Sequence, residues 1–124
     1  MRIFKNTWFT RFAGKEGITD GELREAVNQL ETGHGGDNLG GGVYKIRLAR
    51  PGEGKSGGYR VIVFFRSEER TFYQYAYPKS SRSNIGPKEL RSYKRLAKLR
   101  FAMSDRELAD ALNAGKFIEI EELI

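Results

Sequence analysis

The alternation of apolar and polar residues predicts three β-strands in the middle of the chain. Segment 43–49 alternates with a period of two residues, which places Lys45 and Arg47 on the face opposite its apolar side chains. Segment 59–66 is apolar on both faces, as a central strand is, and segment 71–77 forms the third strand. The third strand is predicted to present three tyrosines on one face: Tyr73, Tyr75 and Tyr77. The short connections between these segments favour antiparallel pairing.

Helical periodicity flanks the predicted strands on both sides. Residues 6–13 carry three aromatic side chains on one helical face, and a capping box at Thr19 opens a helix to about residue 32. Downstream, an amphipathic helix with a basic outer face runs from Pro87 to Phe101. A second capping box at Ser104 opens a further short helix.

The remaining segments complete the predicted fold. Segment 33–42 is predicted to be a loop, because six glycines in ten residues weaken both helix and strand. Short strands are predicted at Arg2–Phe4 and in the tail after Lys116. Together these elements predict one domain, residues 1–124, of the α+β class: a small antiparallel β-sheet packed with N-terminal helices and a basic C-terminal helix.

The composition excludes several classes of site. The chain of 124 residues is long enough to bury a hydrophobic core, and it has no cysteine and one histidine. It therefore carries no disulfide framework and no thiolate zinc site, and we expect no metal or other cofactor. No segment approaches the roughly 20 apolar residues of a membrane span, so we expect a soluble cytoplasmic protein with no membrane partner.

Positive charge is concentrated in the middle of the chain. Segment 43–100 holds fifteen lysines and arginines against four acidic residues, whereas the rest of the chain is acidic and the total charge is +6. Such a field attracts polyanions and accelerates their encounter with the protein. A merely solvated basic face is the alternative, and we favour contact with a nucleic acid over it.

Two motifs that imitate known sites can be set aside. Gly54-Lys55-Ser56 resembles the end of a nucleotide-binding phosphate loop, but Ala49 replaces the motif's first glycine and the sequence leads into a strand instead of a helix. His34 has no second metal ligand beside it apart from Asp37, so it is predicted to be an exposed loop residue.

Four cations are predicted to converge on one patch of the sheet. Lys45 and Arg47 share a strand face, and Arg60 begins the strand that is predicted to pair beside them. Lys79 follows the third strand, with tyrosine rings nearby for stacking. Like charges placed together on a sheet repel, so a face of one sign favours a functional role over simple solvation.

These residues carry a resemblance to a known family. The sequences VYKIRLARPGEGKSGGYRVIVFF and FYQYAYPKSSRSNI lie within about residues 42–98 and resemble the RelE/HigB family of toxins from type II toxin–antitoxin systems. The resemblance implies a ribosome-dependent mRNA endonuclease that inhibits translation by cleaving mRNA in the ribosomal A site. Cleavage in the family proceeds by attack of a 2′-OH on the adjacent phosphate. The implied partners are the ribosome, mRNA and a cognate antitoxin encoded beside the toxin.

The resemblance also implies roles for individual residues. Lys45 and Arg47 match the two basic strand residues of the family, which act as proton acceptor or phosphate clamp. Arg60 matches the arginine on the scissile phosphate, while Lys79 or Arg82 would neutralise the leaving side. The other RNA-binding candidates are two tyrosines for base stacking and two lysines: Tyr75, Tyr77, Lys55 and Lys94.

The chain departs from RelE itself at two positions. Ser80 stands where RelE has an arginine, for which Arg82 is the candidate substitute, and the catalytic tyrosine of RelE aligns near Gly86, so that its role is either empty or taken by Tyr77. Two alternatives therefore stay open. One is a ParE-like toxin that inhibits DNA gyrase by protein contact, and the other is an RNA-binding module of the same fold that is catalytically weak. Retention of Lys45, Arg47 and Arg60 favours the nuclease.

Overall fold

The computed structural model describes residues 1–50, 57–81 and 84–121. These residues form, in chain order, β1 Arg2–Asn6, α1 Thr7–Glu16, α2 Asp20–Glu31, β2 Gly36–Gly40, β3 Val43–Leu48, β4 Tyr59–Arg66, β5 Arg70–Pro78, α3 Pro87–Phe101, α4 Asp105–Asn113 and β6 Phe117–Ile120. The described strands form one sheet in the order β2-β3-β4-β5-β1-β6. Neighbouring strands are antiparallel except β1 and β5, which run parallel. The predicted α+β class is confirmed.

The helices begin at residues that satisfy their free backbone N–H groups. Asn6 caps α1 and Thr19 caps α2 through side-chain oxygens, and Ser104 caps α4 in the predicted capping box with Glu107. Hydrogen bonds from the backbone and side chain of Ser104 lower the pKa of the Glu107 carboxyl. Helix α3 has no side-chain cap and begins instead at Pro87, which has no N–H to satisfy.

Hydrophobic cores lie on both faces of the sheet. One core packs α1 and α2 against the sheet, and the other packs α3 and α4 against the opposite face. Strand β4 runs between them and is buried along all but its last residue, as predicted for a central strand. Tyr73 illustrates the first core: its hydroxyl donates to the Leu23 carbonyl at 2.6 Å, and burial raises the pKa of the phenol.

The glycine-rich segment is not the loop that we predicted from its composition. Residues Gly36–Gly40 form the edge strand β2, paired antiparallel to β3. The glycines permit this approach, because a Cβ at Gly36 would lie 2.8 Å from the Leu30 side chain of α2. The turn that follows runs through Gly41 and Gly42, which have φ values of +63° and +82°. Glycine here allows a tight hairpin instead of preventing a strand.

A β-bulge in β5 changes the side on which its tyrosines lie. Between two consecutive residues of β4 the register passes from Tyr75 to Tyr73, which leaves Gln74 as the additional residue. Tyr73 therefore lies in the core under α1 and α2, whereas Tyr75 packs on the opposite face. The prediction that the three tyrosines share one face is therefore wrong for Tyr73, whereas Tyr75 and Tyr77 do lie on one face, with ring centroids 6.4 Å apart. The Asn6 side chain donates to the Gln74 carbonyl at 3.0 Å and so satisfies the backbone at the bulge.

Candidate functional site

The pairing of β3 with β4 brings three of the predicted cations onto one face of the sheet. Arg47 lies directly opposite Arg60, and Lys45 lies opposite Ile62, two residues further along β4. Because side chains alternate along a strand, all three cations point to the face that carries α3. They lie beyond the part of this face that the helix covers, since residues of α3 pack near Val43 and Phe64 at the other end of the strands.

These cations border a cavity of about 270 Å³ at the edge of the sheet. Its lining consists of two glycines, one carboxylate and the three cations: Gly35, Gly36, Asp37, Lys45, Arg47 and Arg60. A small cavity with three positive side chains and little apolar surface suits an anionic group better than a hydrophobic ligand.

A glycine allows β4 to begin close enough to β3 for this arrangement. A Cβ on Gly58 would overlap the carbonyl oxygen of Leu48, so a residue with a side chain does not fit there. The carbonyl of Gly58 also accepts a hydrogen bond from the Lys79 N–H at 3.2 Å. The second glycine of the Gly-Gly-Tyr-Arg sequence therefore sets the position from which Arg60 enters the cavity.

Arg60 is a buried arginine in the wall of the cavity. The residue is 5% exposed, and its Nη1 atom is buried with no hydrogen-bond acceptor among the described residues. Its cross-strand neighbour is a second arginine, Arg47, which repels the positive charge of Arg60 instead of neutralising it. A buried donor left unsatisfied costs roughly 1–3 kcal/mol. The folded protein carries this free-energy cost as long as the cavity holds no acceptor. A phosphate in the cavity would remove the cost, because its oxygens accept hydrogen bonds from guanidinium N–H groups.

Lys45 is held from two sides by oxygen acceptors. Its Nζ lies 3.3 Å from Asn84 Oδ1, in the segment before α3, and 3.8 Å from Asp37 Oδ2 on β2. The lysine side chain is only 15% exposed, so the ammonium is fixed within the cavity wall. Strand β2, strand β3 and the segment before α3 therefore meet at the Lys45 ammonium.

Sequence reasoning did not identify Asp37 or Asn84 as site residues. Asp37 enters the site because β2 pairs with β3, which places it opposite Lys45 in the register. If the glycines near residues 40–42 are interpreted as a hairpin turn, the segment before them is predicted to pair with β3, and Asp37 is predicted to lie near Lys45. No local pattern marks Asn84, because its contact with Lys45 spans 39 positions of the chain.

The other predicted site residues lie outside the cavity. Lys79 is exposed just after β5 and belongs to the same end of the sheet as Arg60. Tyr77 pairs with Arg60 across the strands and is 3% exposed, so its ring is buried. Tyr75 is half-buried, with its ring centroid 4.5 Å from that of Trp8. These positions leave Tyr75 the more accessible of the two rings.

Another predicted residue lies on α3. Lys94 is exposed on α3 and its side chain lies over Gly40 and Gly41, at the end of β3 remote from Arg47. It therefore does not contact the cavity. Lys55 and Arg82 lie outside the described residues.

Two negative findings apply to the part of the chain that the structure describes. Within residues 1–50, 57–81 and 84–121, no group of three or more histidine, cysteine or acidic side chains is arranged to hold a metal ion. None of the helices in these ranges is long and apolar enough to cross a membrane.

A comparison with known protein families gives a match over almost the whole chain. The sequence model of a family described as the RelE toxin of the RelE/RelB toxin–antitoxin system matches residues 1–120. The chain belongs to the RelE toxin family. The match extends beyond segment 42–98, in which the resemblance was first visible, and includes all four helices and the edge strand β2.

Membership in the RelE family identifies the chain as a toxin of a toxin–antitoxin system, and it implies a RelB-type antitoxin as its cognate partner. The two positions at which the sequence was expected to depart from the family pattern lie between β5 and the first turn of α3. Ser80 is exposed, and Gly86 serves as the N-cap residue of α3. Gly86 follows Asn84, which contacts Lys45, by two positions.

Proposed function

We propose that this toxin is a ribosome-dependent endoribonuclease that stops translation by cleaving mRNA in the ribosomal A site. The observation that carries the proposal is Arg60, whose buried Nη1 atom has no hydrogen-bond partner among the described residues, in a cavity bordered by two further cations. Such a cavity suits an RNA phosphate, and it lies on the scaffold of a toxin family. Its action on ribosomes places the toxin in the cytoplasm, where the cognate antitoxin silences it.

The proposed reaction is transesterification of the RNA backbone. The 2′-oxygen of one nucleotide attacks the adjacent phosphorus, the bond to the 5′-oxygen of the next nucleotide breaks, and the fragments end in a 2′,3′-cyclic phosphate and a 5′-OH. Arg60 and Arg47 hold the phosphate and stabilise the additional negative charge of its pentacoordinate transition state. Lys79 or Arg82 neutralises the leaving side, as the family resemblance implies.

The ribosome supplies the alignment of the RNA that the small cavity lacks. In-line attack requires the 2′-oxygen, the phosphorus and the leaving oxygen to be aligned, and an mRNA held in the A site is already constrained. The half-buried Tyr75 is the proposed stacking contact for a base, and the exposed Lys94 contributes to the electrostatic attraction of the RNA. Free mRNA would have to lose far more conformational freedom to reach the same geometry.

The test adds the purified toxin to a translating extract and maps mRNA ends by primer extension. We expect cuts on translated mRNA and none on naked RNA. Arg60→Ala should abolish the cuts, whereas Arg106→Ala, which removes an arginine that is 90% exposed on α4, should not. Cuts on naked RNA would refute ribosome dependence. Absence of cuts together with inhibited DNA supercoiling would favour a gyrase inhibitor instead.

A further inference from the structure

Cleavage as proposed requires a group that accepts the proton of the attacking 2′-OH, and this inference rests on that proposed function. The side chains that line the cavity are three cations and one carboxylate. Arg47 and Arg60 do not accept protons, because a guanidinium is not deprotonated in proteins. Lys45 already directs its Nζ toward oxygen acceptors on Asn84 and Asp37. Among the described residues that line the cavity, the Asp37 carboxylate is the side chain with oxygen atoms that can accept a proton.

The placement of Asp37 suits this role. Its side chain is 68% exposed, so an RNA that enters the cavity can reach it. Two glycines, Gly35 and Gly36, precede it in the cavity wall. The carboxylate faces Lys45 across the β2–β3 pair, and its Oδ2 atom lies 3.8 Å from the Lys45 ammonium.

We propose that Asp37 is the general base of the reaction and that Lys45 is the general acid. The Asp37 carboxylate takes the proton as the 2′-oxygen forms its bond to phosphorus. The bond from phosphorus to the 5′-oxygen breaks, and the leaving oxygen takes a proton from the Lys45 ammonium. The neutral carboxylic acid and amine then lie side by side, and transfer of one proton from Asp37 to Lys45 restores the starting charges. Because the two groups lie 3.8 Å apart, this proton can pass between them directly or through one water molecule.

A simpler role for Asp37 would be to position Lys45 through the ion pair. The two roles differ in their effect on RNA binding. If the carboxylate only positions Lys45, its loss should weaken binding and cleavage together. If it is the base, its loss should slow the chemical step and leave binding intact or stronger, because one negative charge is removed from an anion-binding cavity.

The experiment compares Asp37→Asn and Asp37→Glu with the wild-type toxin on purified ribosomes programmed with mRNA. Single-turnover cleavage is measured on all-ribose mRNA, and binding is measured on mRNA with one 2′-deoxy nucleotide at the cleaved position, which lacks the nucleophile. Asp110→Asn is the matched control, since it makes the same charge change on α4, outside this cavity. Thermal denaturation of each variant verifies folding.

We expect Asp37→Asn to cleave about 100-fold more slowly or worse and to bind the 2′-deoxy mRNA at least as tightly as the wild type. Asp37→Glu should recover part of the rate, and Asp110→Asn should match the wild type. Cleavage by Asp37→Asn within about threefold of the wild-type rate would overturn the assignment, as would equal losses of binding and cleavage. Failure of the wild-type toxin itself to cleave would instead refute the proposed function.

Discussion

Replacement of Arg60 by methionine should stabilise the protein while it abolishes RNA cleavage. Arg60 is 5% exposed, and its Nη1 atom has no acceptor among the described residues. A residue present only for stability would not be arranged in this way, because a hydrogen-bonded or apolar side chain would make the fold more stable there. Methionine retains a long, flexible chain of similar reach but has no charge and no N–H groups.

The size of the expected increase in the free energy of unfolding follows from two free-energy costs that the substitution removes. Release of one buried unsatisfied donor is worth roughly 1–3 kcal/mol. Loss of the like-charge pair with Arg47 across the strands adds a few tenths of a kcal/mol, up to about 1 kcal/mol. Imperfect packing of the new side chain offsets part of this gain. We therefore expect the free energy of unfolding to rise by about 1–3 kcal/mol, which for a domain of this size raises the Tm on the order of 3–10 °C.

The assay is urea denaturation followed by the fluorescence of Trp8, the only tryptophan of the chain, whose ring packs against Tyr75. Arg106→Met is the matched control: its side chain is 90% exposed on α4, so its stability should change by less than about 0.5 kcal/mol. A loss of about 1 kcal/mol or more in Arg60→Met would refute the reasoning. Arg60 would then support the fold, and its burial would no longer indicate an anion site.

Three further predictions concern packing and capping, each measured by the same urea denaturation. Gly42→Ala should destabilise the fold by about 1–3 kcal/mol, because φ is +82° and a Cβ would lie 2.6 Å from a phenyl ring, whereas Gly14→Ala, in open space on α1, should stabilise it by up to about 1 kcal/mol. Tyr73→Phe should cost about 1–2 kcal/mol through loss of the buried hydrogen bond to Leu23. Ser104→Ala should cost about 1 kcal/mol through loss of the α4 cap. Equal effects of the two glycine substitutions, or no loss in either hydroxyl variant, would contradict these contacts.

Local signals in the sequence were sufficient for most of the helices and strands. The capping residues Thr19 and Ser104 and the proline Pro87 mark helix starts that the structure places where they were predicted. The alternation around Lys45 and Arg47 likewise predicted their common face, since it depends only on the two-residue period of a strand. These predictions are correct because each feature is determined by a few neighbouring residues.

Non-local pairing explains what the sequence did not predict. The edge strand β2 exists because its backbone pairs with β3, and glycine content alone gives no information on that partner. The bulge at Gln74 depends on Asn6, 68 positions away, and it changes the sides on which Tyr73 and Tyr75 lie. The contacts of Asp37 and Asn84 with Lys45 arise in the same way. The cations were therefore predictable, whereas the acidic and amide groups around them were not.

The most direct test of the account compares one mRNA, free in solution and bound in the A site of purified ribosomes, after exposure to the wild-type toxin and to Arg60→Met. The account predicts cleavage at the A-site codon of the ribosome-bound mRNA only. The upstream fragment should end in a 2′,3′-cyclic phosphate and the downstream fragment in a 5′-OH, and the stably folded Arg60→Met should yield neither. Equal cleavage of free mRNA, intact mRNA with the wild-type toxin, or undiminished cleavage by Arg60→Met would contradict it.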